Sequence, residues 1–493
     1  MDFRRLFGQS VHTGAFFVLG YASRLLLAIA LGKALAVDQY GVYSLITAIF
    51  GLATSFLTLA VNQYYAREIP GIPVERAATL FKSIVVIQMA ILAALIGAVM
   101  IVPWSREALA ARLSLPGSSA LLWVVAGLIL ADTLASDFSR FLLFRGEIER
   151  SNLVAFFQTA AWAFAAFALF CLPAHTVTLG ALLGLWAASL VCALVYGSWR
   201  VGWGHLAAAR VEPRLYLTAL RFSLPLLCTA LPSGVNWLGR FFLAEAHSTT
   251  VVGIFTFHAN IILMISAIAS PVIGTPLEPH IIQAYNTGQP QRSGYLLSAS
   301  LRYRLILILP LLVVAALWSD QLIRLMARDE YLMAGPLLAL LTPLPVLAAL
   351  SSTFERVLFL ERRTTTIAWC YVVIAAVQVG LYAVLTRWQP FLGAALAMEA
   401  GPAMLSVVFW ALTRSAAVPV ETRLIRAGLL AALCGAVAWA AAHLVPQAPR
   451  IVFLGAMTVV AGISSLVFAV MLRLILSSEF RRFRELLGGE VSR

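Results

Sequence analysis

The sequence has little charge. Only 12% of its 493 residues are Asp, Glu, Lys or Arg, about half the share usual in soluble globular domains. Acidic residues are scarcest, 22 in the whole chain. A soluble fold of this length needs far more polar surface, so a secreted enzyme and a disordered chain are both excluded. Cysteine is sparse as well. Cys171, Cys192, Cys228, Cys370 and Cys434 sit in apolar runs with no metal-ligand spacing and no pairing pattern, and read as small core residues. Long hydrophilic connections are missing too. The longest are 199–216 and 274–299, with 104–118 the longest on the opposite side. None can hold a soluble domain. A phosphate-cradling glycine loop is also lacking, because Gly32-Lys33 has neither the upstream glycine nor the following hydroxyl. No nucleotide-driven motor is expected.

What is plentiful is apolar sequence, at 61% of residues and a mean hydropathy of +0.91. A bilayer core takes about 20 apolar residues per helix. Runs of that length predict an all-α polytopic membrane protein with 14 spans. The first six lie near 12–35, 39–62, 81–103, 119–143, 153–172 and 176–198. The next six lie near 217–244, 250–273, 300–324, 331–358, 365–386 and 390–413, and two more near 425–445 and 450–474. The net charge of +13 would suggest nucleic acid in a soluble protein. Here 26 Lys and Arg lie in loops or at span ends on one side of the predicted spans and 7 on the other, while Arg24 and Arg240 lie within spans away from their ends. That bias places the N-terminus in the cytoplasm, and an even span count places the basic tail 475–493 there too. No nucleic-acid partner is expected. Arg24 interrupts the apolar stretch before Ala28-Ile-Ala30, so a cleaved signal peptide is not expected either.

The first two groups of six spans echo each other. Arg24-Leu-Leu-Leu27-Ala28-Ile-Ala30 is followed by Gly41-Val-Tyr-Ser44, and Arg240-Phe-Phe-Leu243-Ala244-Glu-Ala246 by Gly253-Ile-Phe-Thr256. A shared intramembrane arginine followed by an in-order second motif reads as duplication. Six is even, so the copies would be parallel repeats about an axis along the membrane normal, with a shared cavity between them. The expected organisation is a six-helix bundle over 1–198, a second over 217–414 and two further spans over 425–474. The halves differ in proline. The second holds Pro225, Pro232, Pro271, Pro310, Pro336, Pro343, Pro345 and Pro402, which frees carbonyls and allows kinks.

These first two spans, Arg24-Leu-Leu-Leu-Ala-Ile-Ala-Leu-Gly-Lys followed by Asp38-Gln-Tyr-Gly-Val-Tyr-Ser-Leu, resemble polysaccharide flippases of the Wzx type. That family belongs to the multidrug/oligosaccharidyl-lipid/polysaccharide exporter superfamily, together with lipid II flippases and multidrug extruders. The resemblance extends over the layout of six, six and two spans. It implies movement of an undecaprenyl-pyrophosphate-linked oligosaccharide across a bacterial inner membrane by alternating access, for O-antigen, capsule or exopolysaccharide assembly. It implies no cofactor, but coupling to a proton or sodium gradient, and a polymerase and glycosyltransferases as partners. An Asn- and Asp-rich first span, expected of a dedicated lipid II flippase, is missing.

The candidate residues follow from cost. A charge at the centre of a span costs at least about 2.5–3.5 kcal/mol. Arginine stays protonated and can grip phosphate with two parallel bonds, so Arg24 and Arg240 are candidates for the diphosphate, with an internal Arg240–Glu245 pair as the structural alternative. Arg140, Arg302 and Arg304 lie near predicted cytoplasmic span ends, where they could capture the diphosphate or anchor at the interface. Asn236 and His258 must find partners in an apolar setting, sugar hydroxyls or neighbouring helices. Asp137 stands three residues from Arg140 and could pair with it, which leaves Asp132 the freer carboxylate. Asp132 and Glu399 are the candidates for ion coupling. Glu355 and Arg356 read as an interfacial pair. A polytopic glycosyltransferase or polymerase would need a sizeable external loop, so the chain is not expected to be an enzyme. A multidrug extruder would favour deep carboxylates without cavity arginines.

Overall fold

Backbone amides in hydrocarbon have no water to bond, so each apolar run must close its own hydrogen bonds as a helix. The computed structural model describes residues 3–56, 63–69, 72–102, 107, 119–172, 178–269, 273–443 and 449–472, and contains no strand among them. The long helices begin with α1 (Phe3–Ala34), α2 (Val37–Phe56), α3 (Val74–Ile101) and α4 (Ser119–Phe144). They continue with α5 (Ile148–Cys171) and α6 (Leu179–Val201). Helix α7 is a bent pair, Pro213–Ser223 and Leu227–Ala246, with 59° between its parts. Next come α8 (Thr249–Ala269), α9 (Pro290–Leu317), α10 (Leu337–Leu360) and α11 (Thr364–Trp388). Last are α12 (Pro390–Thr413), α13 (Leu424–Ala442) and α14 (Arg450–Met471). By length and apolarity 11 described helices can cross a membrane, or 12 with the bent pair taken as one. The two remaining predicted spans fall on α1 and α2.

Local chemistry sets the ends. Proline stands in the first turn of the Pro213 helix, α9 and α12, where its missing N–H costs nothing. Thr178 caps α6, its hydroxyl accepting from the Ala181 amide at 3.2 Å. Gly146 takes a φ of +80° in the turn between α4 and α5, a conformation that excludes most side chains. Pro310 and Pro402 lie inside α9 and α12, while Pro225 falls in the break of α7 and Pro232 in its second part. Pro271 lies outside the described residues. Span nine departs from expectation: α9 starts at Pro290, ten residues before the predicted 300, because the polar turn Gln291-Arg292-Ser293 continues the helix. The connection before it also folds, as the helix Thr275–Asn286.

Contacts divide the chain into two compact units. The first comprises 1–257, 326–330 and 368–398, and the second 258–325, 331–367 and 399–493. In the first, the repeated motifs meet. A Cβ on Gly41 would strike the Thr249 carbonyl, and one on Gly253 would strike the Val37 carbonyl and lie 3.0 Å from the Gly41 amide nitrogen. The contact is reciprocal, since Thr249 precedes Gly253 by four residues as Val37 precedes Gly41. Reciprocity of this kind is what a two-fold relation requires. Tyr40 packs edge-on against Phe257 beside it, ring centroids 5.8 Å apart. In the second unit, Val314 and Trp318 at the end of α9 pack with Ala438 of α13 and Leu454, Met457 and Ala461 of α14.

Candidate functional site

Arg24 stands on an exposed face of α1. It lines a cavity of about 250 Å³ with Tyr21 from its own helix and Asn152, Phe156 and Thr159 from α5. Tyr21 and Gly20 stand three and four residues before Arg24, the spacings that bring helix residues onto one face. Across the cavity, α5 loosens into a single π turn over Phe157–Ala161, a device that shifts side-chain register and recurs at functional sites. Among the described residues no hydrogen bond or ion pair holds the Arg24 guanidinium. The cavity therefore offers an open cation, amide and hydroxyl groups, and the three aromatic rings of Phe16, Tyr21 and Phe156. An anion with attached hydroxyls matches that set.

Arg240 differs, although it holds the same place in the repeat. It is 7% exposed. Its Nη1 donates to the Ser44 carbonyl at 3.0 Å and to the Thr47 hydroxyl at 3.1 Å, and its guanidinium lies 4.3 Å from the Trp237 ring centre. Tyr40, Tyr43 and Tyr382 surround it electrostatically. Glu245 is not among its partners. The arginine of the second copy is thus bonded to Ser44, the last residue of the first copy's second motif.

Asn236 also turns inward to protein. Its side-chain oxygen accepts from Gln378 Nε2 and from the Tyr382 hydroxyl, both at 3.2 Å, and Gln378 donates further to the Ala397 carbonyl at 3.0 Å. These bonds join α7 to α11 and α12. His258 is buried at 1% exposure and is partnered. Asp132 is held by Gln158, whose Nε2 reaches its carboxylate at 2.8 Å and the Ser136 hydroxyl at 2.7 Å. Arg140 and Asp137 interact electrostatically, yet among the described residues neither Asp137 oxygen has a hydrogen-bond partner. Asp132 thus has a direct hydrogen-bond partner, whereas Asp137 has Arg140 as an electrostatic partner, the pairing expected from spacing. Glu399 has one buried oxygen without a partner among the described residues. Arg356 pairs with Glu278 at 2.9 Å instead of its neighbour Glu355, because the helix Thr275–Asn286 brings Glu278 alongside. No group of three His, Cys, Asp or Glu side chains that could hold a metal occurs among the described residues.

Sequence reasoning found Arg24 but not its companions Tyr21, Asn152 and Thr159. A signal for two of them was present: Thr159, beside Gln158, interrupts the apolar run 153–172, and Asn152 stands at its edge.

No family model matches the chain, and no curated protein matches it. Solved structures do. The inward closed conformation of the lipid II flippase MurJ superposes with a TM-score of 0.73 at 13% identity, covering 94% of this chain and 98% of that one. An inward-facing multidrug resistance MATE transporter of the MOP superfamily gives 0.58 at 14% identity, over 80% and 94% of the two chains. The outward-facing conformation of a MATE transporter gives 0.52 at 14%, over 82% and 94%. The fold is accordingly the all-helical membrane fold shared by this flippase and these transporters.

Proposed function

We propose that the chain is a flippase for an undecaprenyl-pyrophosphate-linked oligosaccharide, working by alternating access in a bacterial inner membrane with both termini cytoplasmic. The observation that carries the reading is the Arg24 cavity. A permanent cation without an internal partner is costly within a span, and a diphosphate would offset that cost. Sugar hydroxyls suit Asn152 and Thr159, and a sugar ring suits Tyr21 or Phe156. Arg240, Asn236 and His258, each held by protein, act as positioning groups in this reading, and Arg140 serves the approach of the cargo. The repeats over 1–198 and 217–414 are the proposed moving bundles, with 425–474 and the tail 475–493 as additions. Asp132 and Glu399 are the proposed coupling groups for a proton or sodium gradient. A polymerase and glycosyltransferases would act on the same lipid carrier.

A second reading is lipid II as cargo. What favours it is the fold likeness over 94% of the chain to the lipid II flippase structure; against it stands the first span, which lacks the expected Asn- and Asp-rich signature.

The test is accumulation of unflipped lipid-linked oligosaccharide in cells carrying each variant at matched protein level. Arg24→Ala should stop export, and Arg24→Lys should restore part of it, since the charge remains while the planar fork is lost. Normal export by a well-expressed Arg24→Ala variant overturns the cargo site. In the same cells Asp132→Asn or Glu399→Gln should reduce export driven by the ion gradient; unchanged export in the double variant removes both from coupling.

A further inference from the structure

The second compact unit contains another cationic cavity, also of about 250 Å³ and far above the roughly 10–15 Å³ that one water needs. Three helices line it, each with residues four apart, which a helical turn keeps on one face. The helix Thr275–Asn286 and its cap contribute Gly274 and Glu278, α9 contributes Ser300 and Arg304, and α10 contributes Ser352 and Arg356. Two guanidinium groups therefore face one carboxylate.

Much of the bonding capacity of these arginines is unused. Arg304 Nη1 donates to the Ser352 hydroxyl at 3.3 Å, while its Nε is buried with no acceptor among the described residues. The guanidinium lies against Gly274, where a Cβ would collide with Nη2. Arg356 Nη1 is engaged by Glu278 at 2.9 Å. The hydroxyls of Ser352 and Thr353 give their protons to the Ala349 carbonyl, so the donors left for a ligand are the two arginines and Ser300. Converging donors from two helices, a planar fork with a spare N–H and a surplus positive charge fit a tetrahedral oxyanion better than a single carboxylate.

We infer that this cavity binds a phosphate-bearing anion through Arg304 and Arg356, with Glu278 as the resident counter-charge that the ligand displaces. The same chemistry serves an anionic phospholipid headgroup and a soluble phosphate or diphosphate. The inference does not rest on the flippase reading: Arg24→Ala should leave this binding unchanged.

The experiment uses the full-length protein in nanodiscs. One arm measures binding of radiolabelled pyrophosphate in phosphatidylcholine discs. The other counts phosphatidylglycerol adducts by native mass spectrometry in mixed discs, against phosphatidylcholine, whose choline compensates its own phosphate. Wild type should bind in at least one arm, and the arm that responds identifies the source. Arg304→Gln should weaken that binding roughly tenfold, Arg304→Lys should retain part of it, and Gly274→Ala should weaken it by displacing the fork. Glu278→Gln should strengthen it, a gain that misfolding cannot mimic. Wild type without anion preference in either arm overturns the inference, as does equal binding by wild type, Arg304→Gln and Glu278→Gln.

Discussion

Arg24 and Arg240 occupy equivalent places in a repeated motif, yet only one of them is consumed by the protein. Arg240 makes two hydrogen bonds to α2 and stacks on Trp237. Interhelical hydrogen bonds in membranes contribute about 0.6–1.7 kcal/mol each, and a desolvated cation over an aromatic ring about 2 kcal/mol. Arg240→Ala should therefore destabilise the protein by about 3–5 kcal/mol, seen as earlier thermal unfolding of the purified protein in detergent. Arg24→Ala should unfold with wild type, because no hydrogen bond or ion pair among the described residues is lost. Equal stability of Arg240→Ala and Arg24→Ala would refute this division of roles. The division could not be read from sequence. The motif announces both arginines, but Ser44 and Thr47 lie almost 200 positions from Arg240, and only folding brings them to its fork.

At the scale of helices, the contact of α2 with α8 is the feature best announced by the sequence. The glycines of the duplicated motif, Gly41 and Gly253, are where the two backbones touch. A methyl group there meets backbone carbonyls, which cannot step aside as a flexible side chain can. Overpacking of this kind costs typically about 1–3 kcal/mol. Gly253→Ala should lower thermal stability by that order, whereas Gly97→Ala and Gly127→Ala, with open space around each, should be neutral or slightly stabilising. A Gly253→Ala protein as stable as Gly97→Ala would contradict the close approach. Other elements were less legible. The start of α9 was read ten residues late because Pro290-Gln-Arg-Ser-Gly is polar and looks like a loop, although proline in a first turn favours a helix. That shift puts Arg304 fourteen residues into the helix, about 21 Å along its axis, and so on the wall of a cavity instead of at a span end.

For the molecule as a whole, composition alone announced a polytopic helical protein, since long apolar runs in lipid have one stable backbone solution. Among the described residues each of the 14 runs read from sequence overlaps helix. Of these helices 11, or 12 with the bent pair as one, are long and apolar enough to cross a membrane. What sequence left hidden was partnership: which carboxylate Gln158 holds, which acid Arg356 meets, and which polar groups share the Arg24 cavity. Those depend on which helix faces come together, and neither periodicity nor spacing encodes that directly. The central claim, that the Arg24 cavity carries a lipid-linked diphosphate, is tested most directly by reconstitution. Purified protein in liposomes would be given a fluorescent undecaprenyl-pyrophosphate oligosaccharide, and the fraction reaching the opposite leaflet would be followed with an impermeant quencher. The account predicts transfer well above protein-free vesicles for the wild type, and transfer at the protein-free level for an Arg24→Ala protein that unfolds at the wild-type temperature. Wild-type protein that leaves the lipid-linked diphosphate in place while exporting cationic drugs from the same vesicles would contradict it.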